Sequence, residues 1–328
     1  MNGIKFLTFL LITLNVQVFA QKNELRFKDG QFKIVQFTDI HWIADAPHKL
    51  PNDSAISLMK YIISTEHPDL VVFTGDIVIS SGAAGAWKEI TKPLAELKVP
   101  FAVAFGNHDT EADISKQDAL KIIQENPFNV GYNADNKIDG VGNCVLPVKS
   151  SNGKTNKWAV YIFDSQAYAH VPDTSIKGYD WIKASQIQWY RNQSARFTQK
   201  NKGMALPSLA FFHIPIPEFE YISHLKTTVG NILEKVCAPS FNSGLFTSFA
   251  EMRDVLGIFV GHDHNNDFTG AAYNTCFGYG RKTGYNAPYR EVLERGARVI
   301  VLYENDKKLD TYISAMSGKY FNYSFQRH

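Results

Sequence analysis

Short apolar runs of strand length, each closed by a turn-prone or acidic residue, recur along this chain from residue 32 to residue 303. Residues 32–37, 70–73 and 101–105 are rich in β-branched and aromatic side chains, which pack well on a pleated surface and favour extended backbone. Between the first two runs, residues 54–64 place Ile56, Met59, Ile62 and Ile63 at helical spacing, and Asn52, Asp53 and Ser54 are candidate N-caps. A second helix-like stretch, residues 87–97, precedes the third run. The β-α-β-α-β order predicts parallel strands with covering helices.

The pattern changes in the second half. Residues 144–148 and 158–163 flank Ser151-Asn152-Gly153-Lys154, where Asn-Gly favours a tight hairpin, so antiparallel pairing is expected. Residues 208–212 and 255–260 are further strands, and 297–303 is expected to close a sheet. No period, low-complexity tract or Pro/Gly/Ser linker divides the chain, which predicts a single domain over residues 21–328 with a core of about 31–305. It would hold two packed sheets with helices outside, interrupted by an aromatic insertion at residues 165–190.

Composition excludes several classes. With 45% hydrophobic and 20% charged residues the chain is neither disordered nor a multi-span membrane protein. Thirty-four basic against 32 acidic side chains leave a net charge of +2, so no surface-wide field draws nucleic acid, and no nucleic-acid partner is expected. Cys144, Cys237 and Cys276 lack metal-clip spacing and are too few for a disulfide-built fold. The first twenty residues read as a secretory signal: Lys5, an apolar run from Phe6, then Val18-Phe19-Ala20 before Gln21. Cleavage after Ala20 would give a periplasmic or secreted protein without a stable membrane span; the alternative is an uncleaved anchor, for which the run is short and polar.

The informative residues stand just beyond the carboxyl ends of the expected strands, where an open α/β sheet binds ligands. In order they are Asp39-Ile40-His41, Gly75-Asp76, Gly106-Asn107-His108-Asp109, His213 and Gly261-His262-Asp263-His264. Carboxylate oxygen, amide oxygen and imidazole nitrogen suit iron, zinc or manganese, and one carboxylate can bridge two such ions. Taken singly, an Asp after a strand is most often a turn or cap residue and a His a loop or core group; the ordered set points to metal.

With its DxH, GD, GNH(D/E), lone His and GHxH blocks in this order, the sequence resembles the calcineurin-like metallophosphoesterase superfamily over nearly all of residues 21–328. The stretches Phe211-Phe212-His213-Ile214-Pro215, Gly280-Arg281-Lys282-Thr283-Gly284-Tyr285 and Gly178-Tyr179-Asp180-Trp181 are similar to its purple-acid-phosphatase-like branch. The resemblance implies a four-layer α/β/β/α sandwich of two mixed β-sheets flanked by helices, carrying two divalent or trivalent transition-metal ions. It implies Asp39, His41 and His264 as ligands of one ion, Asp76 as the bridge, and Asn107, His213 and His262 as ligands of the other.

By the same resemblance His108 would assist the leaving group and Asp109 would orient it, though Asp109 could equally cap a helix. The branch's GDxxY tyrosine is absent, Ile79 standing in its place, so no purple colour is expected; the GDxxDRG pattern is absent too. Phosphate charge needs cations besides the metals. Arg281, with Asn107 and His108, is a candidate substrate contact; Lys282 and Arg290 are others, and each could instead be a solvated cation. Trp42, His48, Tyr168, Tyr179 and Trp181 could line a cleft or belong to the core.

The implied activity is hydrolysis of small-molecule phosphomonoesters by in-line attack of a metal-bridging hydroxide. Phosphodiester hydrolysis is the alternative, and a non-catalytic phospholigand-binding protein is the reading from another class.

Overall fold

The computed structural model describes residues 24–170, 177–289 and 292–327. The expected leader at residues 1–20, part of the insertion and Arg290 lie outside these. Strand β1 (Gln31–Phe37) leads through helix α1 (Lys49–Glu66) to β2 (Leu70–Thr74), and from there through α2 (Ala83–Glu96) to β3 (Phe101–Ala104). The three strands pair in parallel, Ile34 opposite Leu70 and Val71 opposite Phe101. Helix α3 (Lys116–Gln124) follows, with Ser115 accepting from the Asp118 N–H at its N-terminus.

A second sheet comprises β4 (Cys144–Lys149), β5 (Asn156–Ile162), β6 (Ser208–Phe211), β7 (Val255–Val260), β8 (Thr269–Ala272) and β9 (Thr275–Tyr279). Its spatial order is β4-β5-β6-β7-β9-β8, parallel from β5 to β9 with an antiparallel strand at each edge. Helices α4 (Ala184–Lys200), α5 (Glu218–Ser223) and α6 (Leu245–Met252) lie between these strands in the chain. Strands β10 (Gly296–Tyr303), β11 (Lys308–Ala315) and β12 (Gly318–Gln326) then complete the first sheet, ordered β12-β11-β10-β1-β2-β3.

Strand alternation sorts the side chains into layers. Ile34, Leu70 and Val72 point to the core between the sheets, where they meet Trp158, Val160 and Ile162 of β5, while Val35, Phe37, Val71 and Phe73 pack on Leu58 and Ile62 of α1 and Trp87 and Ile90 of α2. On the far side, Tyr161 and Ile258 join Tyr190 of α4, Phe219 of α5 and Phe249 of α6. Because helices cover both outer faces, the parallel strands read as continuous apolar runs, which is what made them recognisable. This is the expected sandwich of two mixed sheets.

Three details differ from the sequence reading. The strand expected to close a sheet, β10, lies inside it, antiparallel to both β1 and β11, so the sheet extends past the expected core limit of residue 305 to Gln326. Strands β11 and β12 alternate polar with apolar side chains and carry no apolar run, since β12 is a half-exposed edge. The β4–β5 connection is a six-residue loop, residues 150–155, closed by the Ser150 N–H to Thr155 O (2.7 Å), and is longer than the Asn-Gly pair suggests. The insertion ends before α4, which already contains Trp189 and Tyr190.

Candidate metal centre

Parallel strands from both sheets point their carboxyl ends at one region. Asp39 and His41 follow β1, Asp76 follows β2, Asn107 follows β3, His213 follows β6, and His262 and His264 follow β7. Four of these, Asp39 (φ 53°), His41 (φ 51°), Asp76 (φ 52°) and His262 (φ 80°), hold left-handed backbone, which costs a non-glycine residue roughly 1–2 kcal/mol. Strain repeated at four adjoining positions marks a site that the rest of the fold enforces. Gly75, at φ 82°, is needed twice over: its conformation suits glycine, and a Cβ there would sit 2.5 Å from the His213 ring. A Cβ at Gly106 would land on Asp76 Oδ1.

Six of the seven residues fall into two groups that share one member. Donor atoms of Asp39, His41, Asp76 and His264 lie within 4.8 Å of one another, and so do those of Asp76, His213 and His262. Asp76 Oδ2 is 3.0 Å from His213 Nε2 and 3.9 Å from His41 Nε2; Asp39 Oδ1 is 3.3 Å from His264 Nε2. Asn107 precedes the His108 N–H that donates to Asp76 Oδ1 (2.8 Å).

The surroundings aim these donors. His213 Nδ1 donates to Thr74 O (2.7 Å), which leaves Nε2 free to face Asp76. Asp39 Oδ2 accepts from the Thr38 hydroxyl (2.7 Å) and the His262 N–H (3.1 Å), leaving Oδ1 bare. Asp39 Oδ1, His41 Nε2, Asn107 Oδ1 and His262 Nε2 are all buried without a hydrogen-bond partner among the described residues. Buried polar atoms are almost always satisfied, so four orphans on the candidate ligands fit a centre that takes cations.

Without ions, two of the buried imidazoles are held neutral and a third is held charged by a carboxylate. Burial pushes His41 down to about 4 and, with the neighbouring His213, His262 down to about 3, so both are neutral, as a ligating imidazole must be. Burial opposes charge on His213 as well, but Asp76 outweighs it and raises the imidazole to about 9. Asp39 falls to about 2, the contacts to His264 and His213 outweighing burial.

A pH optimum of stability follows for protein stripped of metal. Buried His41 and His262 bind fewer protons than in the unfolded chain, so stability should rise with pH up to about 6.5. The stabilisation of charged His213 is complete below that point and lost as pH rises through about 9. Urea unfolding of chelated protein should therefore give a maximum near pH 6.5; a flat profile from pH 5 to 9 would contradict the assignment.

The remaining predicted residues divide. His108, in the short 3-10 turn His108–Thr110, lies at the rim with Nε2 4.0 Å from Asp76 Oδ2 and its side chain 34% exposed. Its Nδ1 donates to Glu111 Oε2 (2.7 Å). Burial disfavours its charge, yet Asp76 and Glu111 together raise it above the ordinary histidine range. Asp109 does not orient His108, nor does it cap a helix: one oxygen accepts from the Gly106 (2.8 Å) and Asp76 (3.0 Å) N–H groups, the other from those of Ile77 (2.9 Å) and Val78 (3.0 Å). It staples the loop after β2 to the loop after β3.

Arg281 is engaged by groups outside the donor set: its Nε donates to Asp267 Oδ2 (2.6 Å) and Nη1 to Glu294 O (2.8 Å), because Asp267 is fully buried and needs a cation. Lys282 is likewise engaged, with Asn265 Oδ1 (3.2 Å), Pro288 O (3.0 Å) and Tyr289 O (2.6 Å). Among the aromatic candidates, Tyr179 sets its ring edge-on against His262 at 4.3 Å and Tyr168 bonds Asn107 Nδ2 (3.1 Å). Trp42 belongs to the core, Trp181 packs on Phe241, and His48 pairs with Asp45. Glu111 was missed; its only sequence signal is the three-residue spacing from His108.

With this geometry in hand, comparison with known proteins is specific. A family model described as Calcineurin-like phosphoesterase matches residues 32–266. A protein of Arabidopsis thaliana named probable inactive purple acid phosphatase 29 is 36% identical over 321 residues, 88% of this chain and 81% of its own length. Two solved structures share the fold at low identity. A dimetal phosphatase from Danio rerio superposes with TM-score 0.61 and 12% identity, covering 90% of this chain and 99% of that one. The purple acid phosphatase PPD1 from yellow lupin seeds gives TM-score 0.54 and 14% identity over 92% of this chain and 54% of that one.

Proposed function

This chain belongs to the calcineurin-like phosphoesterase family, and on that premise we propose that it is a dinuclear-metal hydrolase of small phosphomonoesters. Asp39, His41, Asp76, Asn107, His213, His262 and His264 would hold the ions. The observation that carries the reading is the shared carboxylate: Asp76 belongs to both donor groups, as a bridge between two ions must. Imidazole, carboxylate and amide donors suit iron, zinc or manganese. Two such ions would supply an activated water and neutralise phosphate charge.

The chain's own residues do the rest. His108 faces both the centre and the solvent from which a substrate arrives. With Nδ1 engaged by Glu111, its Nε2 is the atom placed to give a proton to the departing ester oxygen. Its backbone N–H, with the Asp109 staple, fixes Asp76 from behind. The Arabidopsis relative's name calls that protein inactive; for this chain, hydrolysis is supported by the complete donor set together with His108 at the rim. The leader-like residues 1–20 support action in the periplasm or outside the cell.

Replacing His108 with alanine is expected to lower kcat on an alkyl phosphate, whose leaving group is poor, about a hundredfold to ten-thousandfold while leaving metal content unchanged. Metal analysis beside steady-state kinetics checks this, and a variant that loses an ion but keeps its rate per remaining centre would reassign His108. One observation favours the diester reading: Arg281 and Lys282 are engaged elsewhere, and a diester brings one negative charge fewer than a monoester dianion. Parallel assays of metal-reconstituted protein on p-nitrophenyl phosphate and bis(p-nitrophenyl) phosphate decide between them. Faster turnover of the monoester is expected; turnover of the diester alone would overturn the monoesterase reading.

A further inference from the structure

Tyr168 reaches the centre from the insertion after β5. There the Ala169 N–H donates to Gly178 O (2.9 Å) and the Asp180 N–H to Ala167 O (3.0 Å), so a two-stranded ribbon stacks Tyr168 on Tyr179 with ring centroids 5.8 Å apart. The Tyr168 hydroxyl joins two groups that come from elsewhere, Asn107 Nδ2 at 3.1 Å and Glu111 Oε1 at 3.1 Å. The other oxygen of Glu111 meets His108 Nδ1 at 2.7 Å.

The directions of these bonds are forced. An amide nitrogen only donates, so the phenol oxygen accepts from Asn107. The phenol proton is then free for Glu111, and an ionised carboxylate only accepts, so it takes this proton on one oxygen and the His108 Nδ1–H on the other. Two consequences follow. Pinning Asn107 Nδ2 to Tyr168 leaves Asn107 Oδ1, buried and unpartnered, as the end of the amide offered to a cation; the reverse orientation would offer it an N–H pair. Pinning His108 Nδ1 leaves Nε2 as the ring nitrogen turned toward the centre.

Resting on the reading of Asn107 and His108 given above, we propose that Tyr168 and Glu111 are positioning residues. Their hydrogen-bond chain sets the amide of one metal ligand and the ring of the leaving-group acid together. Neither is a metal ligand. Tyr168 is 48% exposed and the Glu111 side chain 45% exposed, and bonds this open to water contribute little to global stability. Their loss should register at the centre rather than in the unfolding temperature, which separates positioning from a scaffold role.

The test uses full-length protein, stripped and titrated with zinc against a chromophoric chelator, and then assayed with zinc on p-nitrophenyl phosphate and on β-glycerophosphate. Tyr168→Phe keeps the stacked ring and deletes the hydroxyl. It is expected to weaken one of the two zinc sites about tenfold or more, with the other site and the unfolding midpoint unchanged. Glu111→Ala is expected to slow the alkyl ester, a poor leaving group, about tenfold while changing the nitrophenyl ester less than threefold, because acid assistance matters most where the leaving group is poor.

Wild-type zinc affinity at both sites in Tyr168→Phe would overturn the proposal, as would equal slowing of both esters in Glu111→Ala. Wild-type protein that binds fewer than two zinc ions would instead sink the dinuclear reading. Wild-type protein that binds two but hydrolyses neither ester would sink the hydrolase reading, and the zinc titration of Tyr168→Phe would still decide the proposal.

Discussion

Replacing Asp76 with alanine is expected to remove both ions and to lower phosphoester turnover about a thousandfold or more. The carboxylate is the only member common to the two donor groups, and bound ions supply several kcal/mol of transition-state stabilisation. The groups would be left with His213 and His262 on one side and Asp39, His41 and His264 on the other. The loss is not confined to coordination. Asp76 Oδ1 anchors the loop after β3 through the His108 N–H, so the acid assigned to the leaving group would lose its footing as well. Metal content of the purified variant, measured beside its kinetics, checks this. A variant that keeps one ion at full occupancy would show that the two sites do not depend on a common bridge.

Asp109→Asn is expected to be the most destabilising single change in the centre, although it alters only one atom of the side chain. The carboxylate accepts four backbone N–H bonds, two on each oxygen, in a buried position. An amide has one acceptor oxygen, so two donors lose their partner and face an NH2 group instead. At about 1–3 kcal/mol for each unsatisfied buried donor, the cost is about 2–6 kcal/mol. Burial and the charge of Asp76 push the Asp109 carboxyl above its ordinary range, and the four N–H groups are what favour its ionised form. Urea unfolding of chelated protein isolates this cost from any loss of metal. A change below about 1 kcal/mol would mean that the loops after β2 and β3 hold their shape without the staple.

These two residues show how unevenly the site could be read from the sequence. Asp76 and the other six candidate ligands were conspicuous because each directly follows an apolar strand, three of them just after a glycine that lets the chain turn closely; the strands themselves stood out because helices cover both faces of the sheets. Asp109 belongs to the same motif, but apart from Gly106 its partners are the N–H groups of Asp76, Ile77 and Val78 in the loop after β2, which no side-chain pattern reveals. Arg281 failed for the opposite reason. It follows the last strand of the second sheet and so stands at the expected edge, yet the fully buried Asp267 claims it. Strands β11 and β12 escaped notice because strands with one face partly open to water alternate, and a short alternating stretch carries a weaker signal than an apolar run.

The central claim is that the strand ends assemble a pair of metal sites joined by Asp76 and that this pair hydrolyses phosphoesters. Its most direct test is to reconstitute the purified protein with zinc, manganese or iron, count ions per chain, and follow p-nitrophenyl phosphate before and after chelation. Two ions per chain, with turnover that chelation abolishes and added metal restores, is the predicted result. Turnover that survives complete removal of metal, or a chain that binds a single ion under every condition, would contradict it.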